Sequence, residues 1–386
     1  MMKTVLMVSP TYLPVMGGSE IYSADLCKYL SGKGHRVYLI GCTFPLKGKY
    51  KMIENGKNYR IFRIPCLNRR LLEKTAKHPL IYPLMVIPPL FFFSFLFLLI
   101  QGREVDVIHA QSVSAGLIVL ILSAIFGKRR VVTTHGKYFS ENPYHLQYNK
   151  YARFIGRVFG KFDRVLAINE QSREELARIG VKAENIKVAP HWVDQEIFKP
   201  EDKKTSKAAL GWEGKFIVFY AGRFVEDKGI ENLISAAKSA KNKAVFAFAG
   251  TGPLQRAVID ASISHENILY LGEIDTQKMP LYYNAADLVI IASRHAGDGI
   301  PRVIMETLSC GTPVIGANRG GIPDVLTPQV GMLIEPTVKE INSAIERLFE
   351  DRVLLDKLTG NCRKYAQEKF SMKNAEIAEG SYYEDH

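Results

Sequence analysis

Residues 288–315 read LVIIASRHAGDGIPRVIMETLSCGTPVI. The apolar run Leu288–Ile291 has strand length, Pro301–Cys310 has the composition of a short helix, and Pro313–Ile315 is a second apolar strand. A strand, a helix and a strand in that order make a parallel pair, because only a crossover lets the next strand run the same way. Pro301 suits the first turn, where its missing N–H is no loss, and Gly311 lies just past the helix end. The backbone from Gly299 through Ile300, Pro301 and Arg302 to Val303 then lines a helix N-terminus suited to phosphate. Asp298 lies just outside that terminus. Glu306, about one and a half turns inside, can accept hydrogen bonds from hydroxyls such as those of a ribose.

The same alternation extends in both directions. Phe216–Tyr220, Ala244–Ala249 and Ile268–Leu271 are earlier strand candidates, with helices near Ile230–Ser239 and Met279–Asn284, and a further helix follows near Val338–Leu348. In the first half Val5–Val8, Val37–Ile40, Val107–His109, Val131–Thr134 and Val165–Ile168 are strands, and Ser19–Leu30 is a helix. The pattern restarts after Pro190, and 386 residues exceed what one core usually supports. The expectation is an α/β chain of two Rossmann-like domains, 1–190 and 191–370, whose parallel sheets face each other across an interdomain cleft. The tail 371–386 has packing back on the first domain as an option. Ligands of such sheets bind at the carboxyl ends of the strands.

The formal charge of +12 is unevenly spread. Residues 1–190 carry 28 Lys+Arg against 12 Asp+Glu, and the remainder 23 against 27. A basic half of this kind attracts anionic lipid or nucleic acid, or serves as a solubilising surface. Five scattered cysteines without C-x-x-C spacing argue for a reducing compartment and against a disulfide framework or a zinc site. The apolar run near the N-terminus is too short for a signal peptide core. Residues 80–100, LIYPLMVIPPLFFFSFLFLLI, hold no charge. Pro83, Pro88 and Pro89 are expected to break a helix there, leaving Leu90–Ile100 unbroken. A buried helix, a membrane-interface helix and a spanning helix stay open, and the basic half favours the interface.

Two further constellations carry chemistry. Gly17 and Gly18, in GGSE, let backbone approach a ligand at a helix N-terminus. Gly222-Arg223-Phe224-x-x-x-Lys228-Gly229 follows a strand, so Arg223 and Lys228 can converge on a diphosphate, one with a forked donor and one with a point charge. Gly250-Thr251-Gly252-Pro253 imitates half a dinucleotide fingerprint but has Gln255 where the third glycine belongs, so a dehydrogenase is discounted.

These segments resemble glycosyltransferase family 4, retaining enzymes of the GT-B fold. The matching elements are GGSE (17–20), DVIHAQS (106–112), VVTTHG (131–136), PHWVD (190–194), GRFVEDKG (222–229), FAGTGPL (248–254), DGIPRVIMETLSCGTPVI (298–315) and GGIPDVL (320–326). The resemblance implies donor-phosphate contacts at Gly17 and Gly18 and neutralisation of the leaving diphosphate by Arg223 and Lys228. It implies a ribose contact at Glu306 and sugar-hydroxyl contacts at Asp298, helped by amides at 299–303. It also implies that His135 faces the donor sugar and that His109 and Gln111 lie on the acceptor side. Asp298 stands where the family usually has Glu. Gln111 stands where an acidic residue or histidine is common, and Gln cannot act as a base.

Without D-x-D or metal-ligand histidine spacing, neither metal nor cofactor is expected. The implied reaction moves a sugar, with retention, from a nucleoside-diphosphate donor to a glycan or lipid-linked acceptor on the cytoplasmic face of a membrane, with no nucleic-acid partner. The rivals are another GT-B enzyme, such as a nucleotide-sugar epimerase or an inverting transferase, and a non-catalytic membrane- or nucleic-acid-binding protein.

Overall fold

The structure, a computed structural model, describes residues 2–15, 17–45, 50–68, 81–135, 145–241, 244–294 and 300–383. It divides into two compact units, Met1–His191 with Lys373–His386, and Trp192–Met372. The first contains β1 (Thr4–Ser9), α1 (Gly18–Gly32), β2 (Arg36–Cys42), β3 (Ile53–Asn55), β4 (Tyr59–Ile64), α2 (Ile81–Gln101), β5 (Val107–Gln111), α3 (Val113–Phe126), β6 (Arg129–Thr133), α4 (His145–Phe159), β7 (Arg164–Ala167), α5 (Glu170–Arg178) and β8 (Ile186–Val188). Its sheet order is β3-β4-β2-β1-β5-β6-β7-β8, parallel except for the β3–β4 pair.

The second unit contains α6 (Lys203–Leu210), β9 (Phe216–Ala221), α7 (Ile230–Ser239), β10 (Ala244–Ala249), α8 (Gln255–Ser264), β11 (Ile268–Gly272), α9 (Met279–Ala285), β12 (Leu288–Ile291), α10 (Arg302–Ser309), β13 (Val314–Ala317), β14 (Gly331–Ile334), α11 (Val338–Glu350) and α12 (Arg352–Lys369). Its strands are all parallel, in the order β11-β10-β9-β12-β13-β14. A last helix, α13 (Lys373–Gly380), belongs to the first unit and packs on α1.

Period-two alternation divides the second core. Phe216, Val218 and Tyr220 of β9 join one apolar cluster with α7 and α11, while Ile217 and Phe219 join another with α9, α10 and α12. A sheet covered on both faces reads as continuous apolar runs, which is why β9, β10 and β12 were visible as uninterrupted segments. In each sheet the strand order reverses once, between β1 and β5 and between β9 and β12. Such a reversal opens a crevice at the carboxyl ends, because the connections leave to opposite faces.

The expectation for 80–100 needs correction. Pro88 and Pro89 lie inside one continuous helix, Ile81–Gln101, instead of ending it. Val86, Leu90, Ser94 and Leu98 form a buried stripe, and α2 packs against β2 and α3. That packing compensates for the backbone bonds the prolines remove. The opposite side is apolar and not covered by the described residues, since Phe92, Phe93, Leu96, Leu99 and Ile100 are exposed, as are Ile121 and Ile125 of neighbouring α3. Leu84–Gln101 is the one described helix long and apolar enough to cross a membrane, and 28% of it is buried.

Gly156 lets α4 touch the end of α5, for a Cβ there would lie 1.9 Å from the Ile179 carbonyl oxygen. Gly156→Ala is predicted to cost about 1–3 kcal/mol by overpacking, read as a lower urea midpoint. An unchanged midpoint would mean that the two helices separate freely.

Candidate functional site

In the second unit the loops after β9 and β10 are zipped together. The Gly222 amide donates to the Ala249 carbonyl at 3.0 Å, the Phe224 amide to Thr251 at 2.8 Å, and the Leu254 amide to Phe224 at 2.9 Å. A Cβ on Gly250 would lie 1.9 Å from the Gly222 oxygen, and one on Gly252 2.5 Å from the Phe224 oxygen. Both glycines have positive φ, +139° and +154°. The G-T-G segment is therefore explained by backbone contact, and its likeness to a dinucleotide fingerprint has a local cause.

Arg223 leaves this zipped loop with an exposed side chain. Lys228, half-buried, ends a single 3₁₀ turn, Glu226–Lys228. Gly229 follows at φ +70°, where a Cβ would lie 2.2 Å from the Ala292 oxygen. The Arg294 amide donates to the Asp227 carbonyl at 2.7 Å, so the turn is fixed to the segment after β12. Two cations thus stand at the carboxyl ends of β9 and β12, the strands flanking the reversal. Opposed chain directions there would have been useless; parallel strands put both ends on one edge.

The helix α10 begins one residue later than the sequence suggested, with Pro301 as its N-cap at φ −67°, ψ 124°. Proline has no N–H, so Arg302 and Val303 supply the first amides that lack intrahelical acceptors. Ile300 is buried in the core, which anchors the entry to the helix. Asp298 and Gly299 lie outside the described residues.

Glu306 is 6% exposed and not a surface carboxylate. Its Oε1 accepts from Arg302 Nε at 2.7 Å and its Oε2 from the Tyr283 hydroxyl at 2.8 Å. Burial, and then the Glu306 charge, push the Tyr283 phenol well above its ordinary range, so it stays a donor. Tyr283, on α9, carried no signal in the sequence, because its partner is distant in the chain and belongs to another element.

In the first unit Gly17 is extended, at φ −166°, so its role is not a left-handed turn. A Cβ there would lie 2.4 Å from Glu20 Oε2, whereas one on Gly18 would meet nothing within 4 Å. The Glu20 carboxylate, buried at the start of α1, accepts from the hydroxyls of Thr11 and Ser19. Gly18 is the open position at this helix N-terminus.

Beyond β5 and β6 lies a histidine cluster. His135 Nε2 meets Gln111 Oε1 at 2.9 Å, and its Nδ1 meets His191 Nε2 at 3.3 Å. The Tyr22 ring lies against both imidazoles, 4.9 Å from His135 and 4.7 Å from His191. Burial, then the neighbouring His191 and His109, hold the His135 pKa well below its ordinary value. His135 is therefore a neutral hydrogen-bonding group at pH 7. Gln111 is 1% exposed, and its amide nitrogen has no partner among the described residues. Ser112, next to it, holds φ +129°, a backbone strain of the kind stored at functional sites.

His109 requires a correction. It is wholly buried, and both ring nitrogens are engaged, Nδ1 by the Tyr382 hydroxyl and Nε2 by Thr133 Oγ1, each at 2.8 Å. Having no free nitrogen, it lies beneath the cluster instead of meeting an acceptor. Tyr22 and His191 were missed as site residues; His191 lies within PHWVD, but its contact with His135 depends on the fold. Among the described residues no group of three or more His, Cys, Asp or Glu side chains is arranged to hold a metal ion.

Two family models match, Glycosyltransferase Family 4 over residues 16–197 and Glycosyl transferases group 1 over residues 202–369. The chain is 24% identical over 355 residues to the phosphatidylinositol N-acetylglucosaminyltransferase GPI3 subunit of Saccharomyces cerevisiae, covering 88% of this chain and 75% of that one. It is also 24% identical over 399 residues to the N-acetyl-alpha-D-glucosaminyl L-malate synthase of Bacillus anthracis, covering 98% and 97%. The crystal structure of Anabaena HepE in complex with UDP and glucose superposes with a TM-score of 0.74 at 20% identity, covering all of both chains. With two parallel sheets, site loops at both strand-order reversals and these two models in tandem, the chain belongs to glycosyltransferase family 4 and is a glycosyltransferase of the GT-B fold.

Proposed function

We propose that this glycosyltransferase moves a sugar, with retention of configuration, from a nucleoside-diphosphate donor to a hydroxyl of a lipid-linked or membrane-associated glycan. The observation that carries the donor assignment is the fixing of Arg223 and Lys228 at the carboxyl ends of β9 and β12. Two cations there suit the charge of a departing diphosphate, and the N-terminus of α10, which follows β12 in the chain, suits an anion. Glu306, oriented by Tyr283 and Arg302, suits a ribose diol. HepE was crystallised with UDP and glucose, which agrees with this chemistry but leaves the base open.

The reaction breaks the bond between the sugar anomeric carbon and the diphosphate oxygen. The acceptor oxygen bonds to the same face of that carbon, and its proton passes to the departing diphosphate. The protein's part is positioning and stabilisation of developing charge, and no metal or cofactor is required in this reading. The neutral His135 orients sugar hydroxyls and the open backbone at Gly18 admits phosphate.

The acceptor reading rests on α2 and α3. One stripe of α2 is committed to the core, and β5 follows it closely, so the helix lies along a surface. Its outer face is Phe92, Phe93, Leu96, Leu99 and Ile100, and Arg103 and Lys128–Arg130 follow the two helices. Apolar insertion and attraction to anionic lipid reinforce one another. The yeast relative's name is that of a phosphatidylinositol N-acetylglucosaminyltransferase subunit, which supports a lipid acceptor and with it a peripheral site on the cytoplasmic membrane face.

Arg223→Ala and Lys228→Ala are each predicted to lower turnover by about 10²–10³, as loss of an electrostatic donor does, once a panel of UDP-, GDP- and ADP-sugars has identified the donor by thermal shift. Unchanged turnover in both removes the diphosphate assignment. The product anomer is predicted to match that of the donor, and an inverted product contradicts retention. Wild-type protein is predicted to sediment with anionic liposomes, and a Phe92→Ser, Phe93→Ser, Leu99→Ser variant to stay in the supernatant. Equal sedimentation of both would remove the membrane assignment.

A further inference from the structure

We propose that Gln111, the last residue of β5, is a positioning residue for His135: its side-chain oxygen holds the Nε2 proton and so leaves Nδ1 as the acceptor that meets a sugar hydroxyl. The inference rests on His135 being part of the transfer site.

The direction of the bond follows from which atoms carry hydrogen. Gln111 Oε1 has none and can only accept, so its 2.9 Å contact with His135 Nε2 requires the proton on that nitrogen. Burial, then the neighbouring His191 and His109, disfavour a charged His135, and a neutral imidazole has a single N–H. Nδ1 is therefore an acceptor. Its partner in this structure is His191 Nε2 at 3.3 Å, which must be the donor. That contact is the longer and weaker of the two, and so the one a ligand hydroxyl displaces.

Strand register brings the two side chains together. Gln111 pairs with Thr133 across β5 and β6, and His135 stands two residues beyond that pair. The backbone N–H and the hydroxyl of Thr134 both donate to the Leu166 carbonyl, at 2.9 and 3.1 Å, which fixes the chain next to His135. The Tyr22 ring stands edge-on to His135, at 70°, and limits rotation of the imidazole. The titratable groups around that ring are His109 on β5, Tyr22 on α1 and His191 after β8. Gln111 is 1% exposed, and its amide nitrogen has no partner among the described residues. A glutamine buried only to complete the fold would have both ends of its amide satisfied. Here the bond to His135 is the one its side chain makes among the described residues.

The test follows release of nucleoside diphosphate from the donor identified by thermal shift, in full-length wild type, Gln111→Leu and Gln111→Glu, from mildly acid to mildly alkaline pH. Gln111→Leu is expected to lower kcat about tenfold or more at every pH, as misplacement of a site group does. In Gln111→Glu the carboxylate and the imidazole share one extra proton at low pH, and whichever group holds it, Nδ1 carries a hydrogen. The rate of that variant relative to wild type is therefore expected to rise with pH, as the proton leaves and Nδ1 becomes an acceptor again. In ¹⁵N-histidine spectra the His135 proton is expected on Nε2 in wild type and divided between the two nitrogens in Gln111→Leu. If Gln111→Leu does not fold, Gln111→Glu, which keeps the shape of glutamine, carries the test alone. A wild-type His135 with its proton on Nδ1, or a Gln111→Glu rate in constant ratio to wild type across the pH range, overturns the inference. A lowered rate in His135→Ala beside unchanged rates in both Gln111 variants overturns the inference alone. Undiminished release in His135→Ala overturns the underlying site assignment, and this inference with it.

Discussion

A parallel strand covered on both faces has only its ends left to meet a ligand. In the second unit Phe216, Val218 and Tyr220 point into one core and Ile217 and Phe219 into the other, so neither face of β9 is available. The chemistry is consequently displaced to the carboxyl edge. There the loops after β9, β10 and β12 must run so close that side chains are excluded at Gly229, Gly250 and Gly252. Backbone bonds fix the loop that carries Arg223 and Lys228, and the Arg223 side chain is exposed. The proposed binding of an anion at this edge uses that exposed guanidinium and needs no particular sugar.

The first unit solves a different problem with the same architecture. Its edge at β5 and β6 carries His135, His191, Gln111 and Tyr22, and burial keeps His135 uncharged. A neutral imidazole at His135, and a Gln111 amide nitrogen without a partner among the described residues, suit hydroxyl groups better than phosphate. Arg223 and Lys228 lie in the second unit, and the hydrogen-bonding cluster around His135 in the first.

Much of this was legible in the sequence, and the exceptions have physical causes. The strands Val5–Val8, Phe216–Tyr220 and Leu288–Ile291 could be read because a doubly covered strand is apolar without interruption. The short pair β3–β4 could not, since Ile53–Asn55 is partly exposed and alternates weakly. Arg223 and Lys228 were visible because their spacing is local. Tyr283 with Glu306, His191 with His135 and Tyr382 with His109 were invisible because each joins distant segments. Pro88 and Pro89 misled, for the rule that proline ends a helix weighs local bonds and omits the packed stripe from Val86 to Leu98. His109 was placed on the acceptor side because its motif is shared with the family, while the bond to its Nδ1 comes from a residue 273 positions away.

The central claim is that Arg223 and Lys228 bind the diphosphate of a nucleotide. It is tested most directly by calorimetric titration of the wild-type chain and the Arg223→Ala, Lys228→Ala double variant with nucleoside diphosphate, monophosphate and free nucleoside, in the uridine, guanosine and adenosine series. The account predicts that, for one base, wild-type affinity rises with each phosphate, and that this gradient collapses in the variant while nucleoside binding persists. A gradient of equal steepness in both proteins, or no binding of any nucleoside diphosphate to the wild type, would contradict it.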